Sequence, residues 1–262
     1  MRVRISHDAR PQAMTLLAAA AISIVLWFIP FAEVLTYPFR IFVTFIHEGG
    51  HAIAALLTGN SVGSLSVAMN ASGETYTTQG GLVSQTFVAS AGYLGSMAYG
   101  GLLLVLIRKA IAARIVLIGS AAVIFSLTLI YGILTPIFSL GALSGIPFTF
   151  IAGTSLSVGL VALGKFAGAR LAAFSVCFLA VQCVLNALLD LKTVFFLSSP
   201  FDTSVPTDAV NMANATGIPA FIWAIIWIAI ALAILALAMR IYVVTRDSRT
   251  QPDLPFEDVL NT

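Results

Sequence analysis

Apolar residues run along this chain in long blocks, separated by short polar breaks rich in glycine and proline. The blocks cover residues 14–34, 38–57, 82–107, 114–134, 148–164, 170–197 and 219–243. About 20 consecutive apolar residues cross a bilayer as a helix, so the pattern predicts about seven transmembrane helices, the second opening at Pro38. Residues 61–80, SVGSLSVAMNASGETYTTQG, follow another period. Val62, Leu65, Val67 and Met69 are spaced as in strands, and the Asn-Ala-Ser-Gly that follows is a turn signal. This stretch predicts a short β-hairpin or re-entrant loop directly after the second helix. Non-helical backbone beside a membrane is tolerated where it packs on protein or lines a wet cavity.

Composition agrees with the pattern. Of 262 residues, 59% are hydrophobic and 9% charged, with a mean hydropathy of +1.01. Soluble domains carry roughly 25% charged residues. The fold class expected is an all-α polytopic membrane protein, multi-pass in the cell membrane, with the lipid bilayer as its solvent. Three parts are expected: a basic head at 1–13 with Arg2, Arg4 and Arg10, one membrane-embedded domain at 14–245, and a flexible tail at 246–262. A basic head before an apolar run is also the layout of a signal peptide. This run is long, and its end, IPFAEV, has no small-residue cleavage pattern, so an uncleaved first span is expected. A formal charge of +2 points to no nucleic-acid partner. Cys177 and Cys183 share one apolar block and read as small packing residues rather than a disulfide. Gly92, Ser96 and Gly100, four apart, form a small-residue face for close helix approach.

The chemistry concentrates in FIHEGGHAIAALLTG, Phe45 to Gly59. His47 and His51 are four residues apart, which on a helix puts both imidazoles on one face about 6 Å apart along the axis. So placed they can share a Zn²⁺, and Glu48 can act as general base on a water that the metal activates. Charged and imidazole groups in an apolar segment are costly without partners, which makes them a functional hypothesis by default. Gly49 and Gly50 bare the helix between the ligands, for a neighbouring helix or for substrate. A catalytic zinc takes three protein ligands and keeps one position open. The only other histidine is His7, so the third ligand must be a carboxylate or thiolate. Glu33 and Glu74 flank the second block, and Asp190, Asp202 and Asp208 remain. Asp190 continues a polar stripe with Gln182 and Asn186, whose bland role is inter-helix hydrogen bonding. Asp208 follows Pro206 and Thr207, a helix-start signature. In a seven-span arrangement both Asp190 and Asp208 reach the depth of the histidines.

The segment Phe45–Gly59 resembles the metal helix of the site-2 protease family of intramembrane zinc metalloproteases. The strand-like loop after it and AGYLGS in the next block are similar to family segments as well. The resemblance implies zinc bound by His47, His51 and an aspartate, with Glu48 as catalytic base and a membrane protein or peptide as substrate. The family's third ligand sits in a Leu-Asp-Gly motif that opens a later helix. Thr207-Asp208-Ala209 most resembles that element, with Asp190 as the alternative, and Asn186 echoes the family's upstream asparagine. The chain has no Leu-Asp-Gly, no Asn-Pro-x-Pro and no PDZ domain, so it resembles a compact, divergent branch. Two readings of another class are a non-catalytic metal-binding scaffold and a small transporter. That His47, Glu48 and His51 are all intact favours the enzyme.

Orientation is in conflict within the sequence. Seven spans place Arg108, Lys109, Arg114, Lys165, Arg170, Arg240, Arg246 and Arg249 on one side and Arg2, Arg4, Arg10 and Lys192 on the other. The positive-inside rule makes the larger group cytoplasmic, while the basic head argues the reverse.

Overall fold

A computed structural model describes residues 10–26, 28–108, 112–139, 143–198 and 207–243. Residues 1–9 of the head, Asp202 and the tail at 246–262 lie outside the described residues.

Helix α1, Arg10–Leu26, stops well short of the end of the first apolar block. Pro30 cannot continue the helical ladder and disfavours helix at the residue before it. Phe31 then takes a left-handed conformation (φ 64°), turning the chain. Helix α2, Glu33–Leu57, therefore opens before Pro38 rather than at it. The proline lies in its second turn, where it removes one N–H from the ladder near the helix start. Strands β1, Val62–Val67, and β2, Gly73–Thr77, form an antiparallel hairpin with a bulge near Gly63. Its turn holds Ala71 at φ 66° and is stitched by the Asn70 side chain, which accepts from Ser72 N and Oγ.

Helix α3, Leu82–Arg108, returns alongside α2. Helix α4, Ala113–Leu129, widens into a π turn at Ile130–Leu134 and continues as α5, Thr135–Ser139. Pro136, in the break between the fourth and fifth apolar blocks, thus lies in a helix. Thr135 Oγ1 donates to the Ile130 carbonyl at 2.7 Å, within the turn's wider ladder. A single 3₁₀ turn, Leu143–Gly145, leads into α6, Ile146–Phe166, with Pro147 in the first turn, where its missing N–H costs nothing. Helix α7 is Ala169–Leu197, α8 is Asp208–Thr216, and α9 is Ala220–Val243.

Among the described residues, five stretches are long and apolar enough to cross a membrane: Leu82–Ile107, Ala113–Phe138, Leu143–Phe166, Ala169–Leu197 and Ala220–Tyr242. The two N-terminal helices, which would bring the count to the expected seven, do not meet this measure of length and apolarity. The apolar part of α1, Met14–Leu26, is short, and α2 carries Glu33, Arg40 and Glu48 besides its two histidines. Large apolar side chains such as Leu57, Phe138 and Phe166 face outward, as a bilayer solvent allows.

Helices α2 and α3 run antiparallel in close contact. Thr58 Oγ1 meets Ser84 Oγ at 2.9 Å, His51 meets Val88, His47 meets Tyr93, and Phe42 meets Tyr99. At Gly50 an added Cβ would collide with the Ala91 carbonyl, and at Gly49 it would come within 2.7 Å of Leu127 of α4. Both glycines therefore face neighbouring helices. The hairpin lies back along α2. Tyr37 Oη donates to Met69 O (2.6 Å), Thr44 Oγ1 to Ala71 O (2.8 Å) and Thr75 Oγ1 to Glu48 Oε2 (2.7 Å). Tyr37 to Glu48 spans about 16 Å of helix axis, so the hairpin covers about three turns of that helix. From the far side, Thr149 of α6 holds β1, its Oγ1 accepting from Val67 N at 2.9 Å.

Candidate metal centre

The α2 repeat puts His47 and His51 one above the other, facing α3 and α8. Their Nε2 atoms are 3.1 Å apart. Asp208, the first residue of α8, brings Oδ2 to 3.6 Å from His47 Nε2 and 3.5 Å from His51 Nε2. Thr207 caps α8, its Oγ1 accepting from Val210 N at 3.2 Å, and Gly217 ends it in the left-handed conformation (φ 74°). A helix of nine residues is thus defined at both ends, and its capped start holds the carboxylate in place.

The arrangement suits a small divalent cation. Tetrahedral zinc with N and O ligands has ligand–ligand edges of about 3.3 Å, and the three edges here are 3.1, 3.5 and 3.6 Å. His51 Nδ1 lies 2.7 Å from the Val88 carbonyl. It must donate there, which leaves the Nε2 lone pair facing the other ligands, as metal-bound histidines require. Gly92 of α3 completes the wall. A Cβ at that position would collide with His47 Nε2. Burial alone would raise the Asp208 carboxyl, but without metal the positive charge of a protonated His51, foremost, outweighs it and holds the group below the usual carboxylate range.

Glu48 is buried on the same helix, 5% exposed. Its Oε2 accepts from Thr75 Oγ1 of β2, and Gly73 of β2 packs against its side chain without room for a Cβ. The group opens into a cleft of about 1140 Å³ between α2, β2, α7 and α8. Asp190 lines this cleft with Asn186 but stands outside the group formed by His47, His51 and Asp208. The amides of its stripe are tied to one another: Gln182 Nε2 donates to Ser23 Oγ and Asn186 Nδ2 to Gln182. Among the described residues no hydrogen bond joins these amides to the Asp190 carboxylate. Glu33 stands at the exposed start of α2, and Glu74 lies on β2 at the cleft. Cys177 and Cys183 are both free and buried.

Sequence reasoning did not single out Val88, Thr75, Gly73 or Tyr93. Val88 acts through its backbone, which no side-chain pattern signals. Thr75 and Gly73 meet Glu48 only once the hairpin folds back. The Tyr93 ring lies 4.6 Å from that of His47, a contact between helices that spacing along either one does not reveal.

A model of the Peptidase M50B-like family matches residues 15–238. No curated protein and no solved structure matches the chain significantly.

Proposed function

Because this chain belongs to the Peptidase M50B-like, or site-2 protease, family of membrane metallopeptidases, we propose that it is a zinc metalloendopeptidase that hydrolyses peptide bonds of substrates in or beside the membrane. The observation that carries the reading is the meeting of His47, His51 and Asp208 at the side of an open cleft, with Glu48 adjacent. His47, His51 and Asp208 would hold Zn²⁺, which when bound supplies Lewis acidity and lowers the pKa of water towards neutrality. Glu48 takes the proton of the attacking water. Thr75 occupies its Oε2, which leaves Oε1 to carry the proton and return it to the leaving amine as the C–N bond breaks. Substrate enters extended, because a helix hides its amide bonds. Among the described residues strand β2 pairs with β1 on one edge only, and Thr75 and Tyr76 line the cleft, so its other edge offers backbone hydrogen bonds to an added strand. The chain works in the cell membrane, with α1 and α2 completing seven crossings.

The test is metal content and cleavage together. Purified protein should carry about one zinc per chain and cut a membrane-derived peptide, and His47→Ala should lose both. A zinc-free wild type, or full cleavage by His47→Ala, would remove the reading.

A further inference from the structure

Helix α8 buries one face and leaves the other in the cleft. Ala209, Val210 and Met212 are buried, in the apolar cluster that seats the helix against α3 and α9. Asn211 and Asn214 are exposed, and both line the cleft with Thr207 and Asp208. Steps of three residues keep Asp208, Asn211 and Asn214 on one side of the helix. The two asparagines stand about 4.5 and 9 Å along its axis from the metal ligand, and an extended chain covers that distance in about one to three residues. Among the described residues neither side-chain amide has a hydrogen-bond partner. Asn186 of α7 also lines the cleft, but its Nδ2 is engaged by Gln182. Thr207 and Gly217 already cap α8, so the two asparagines, which lower helix propensity, are not there to begin or end it. An extended peptide carries hydrogen-bonding groups on both edges, and β2 can serve one of them. The other edge would lose water in the cleft and gain nothing, which is costly. A carboxamide both donates and accepts, so asparagine can meet a backbone N–H or C=O whatever side chain stands beside it.

We propose that Asn211 and Asn214 are substrate-binding residues, whose amides hydrogen-bond the outer backbone edge of an extended peptide while its inner edge pairs with β2. The inference rests on the protease reading above and deepens it. It makes the substrate an extended segment recognised by its backbone over the few residues that run along α8. Binding is measured by fluorescence anisotropy in the Glu48→Gln background, which keeps the zinc and does not cut, with a labelled peptide of leucine, alanine and serine. Asn211→Ala and Asn214→Ala together should leave zinc content and the unfolding midpoint unchanged, since both side chains are exposed. They should weaken the peptide about 10-fold, as the loss of two hydrogen bonds predicts. Peptides with an ester in place of each amide in turn report where the contacts fall. An ester that removes a contact with α8 should have no further effect in the double variant, while one that removes a contact with β2 should weaken both proteins alike.

Unchanged affinity in the double variant, or ester effects that are the same in both proteins at every position, would overturn the inference and leave the protease reading standing. A loss of zinc or of stability as large as the loss of binding would assign the amides to the folding of α8 and overturn it too. A zinc-loaded protein that takes up no peptide would remove the peptide-binding reading itself, and this inference with it.

Discussion

Glu48 and Asp208 are both carboxylates near the histidines, and their surroundings separate their tasks. Glu48 is held by a threonine hydroxyl on a strand, whereas Asp208 faces two imidazoles. Glu48→Gln keeps the shape and loses the ability to take a proton. Cleavage should fall about 10²–10⁴-fold with bound zinc unchanged, measured by peptide assay and metal analysis on one preparation. Undiminished cleavage would exclude hydrolysis through this base. Asp208→Asn should lose most of its zinc and all activity, and Asp190→Asn should keep its zinc. The reverse pattern would transfer the third ligand to Asp190, which lines the same cleft. The spacing of His47 and His51 puts them on one face before any tertiary contact forms, which is why this pair is legible in the sequence. The carboxylate opposite them is legible only as a preference for Asp208 over Asp190, from its helix start and the family likeness, because which one stands across the gap depends on how the fold places α8.

At the scale of elements, two features control the site from a distance. The first is the close approach of α2 and α3 at Gly50, where any Cβ meets the Ala91 carbonyl. Gly50→Ala should therefore cost about 1–3 kcal/mol as overpacking, read by equilibrium unfolding in detergent. A neutral result would mean that the helices part without penalty. The second is the cap on α8. Thr207→Ala removes the acceptor for Val210 N and should cost about 1 kcal/mol, with lower zinc occupancy because Asp208 is the next residue. Thr207→Ser should restore occupancy, and failure to do so would mean that the cap does not hold the ligand. Helix starts such as Thr207-Asp208 were legible because capping is local. The bounds of α1 and α2 were not. Hydropathy runs on through Leu26 to Val34, while the backbone at Pro30 and Phe31 turns.

At the scale of the molecule, the polar cleft and the hairpin are carried by apolar helices. Helix α2 runs antiparallel to α3 from Thr58–Ser84 to Phe42–Tyr99, so it shares the depth of a stretch long enough to span. Reporters fused at residue 10 and residue 111 should report opposite sides of the membrane. Finding them on the same side would exclude seven crossings and would fit a re-entrant α2.

The sequence by itself determined the class of protein, a membrane bundle with a strand-like insert, because hydropathy and backbone period depend only on near neighbours. It also determined that two imidazoles share a helix face. Tertiary structure alone decided which carboxylate stands 3.5 Å from them, that Thr75 holds Glu48, and that Tyr93 and Val88 flank the pair. Each of these joins residues 27 to 161 positions apart. Such contacts form only when packing small residues, Gly50 and Gly92 above all, bring separate helices to touching distance, and no local periodicity carries that information.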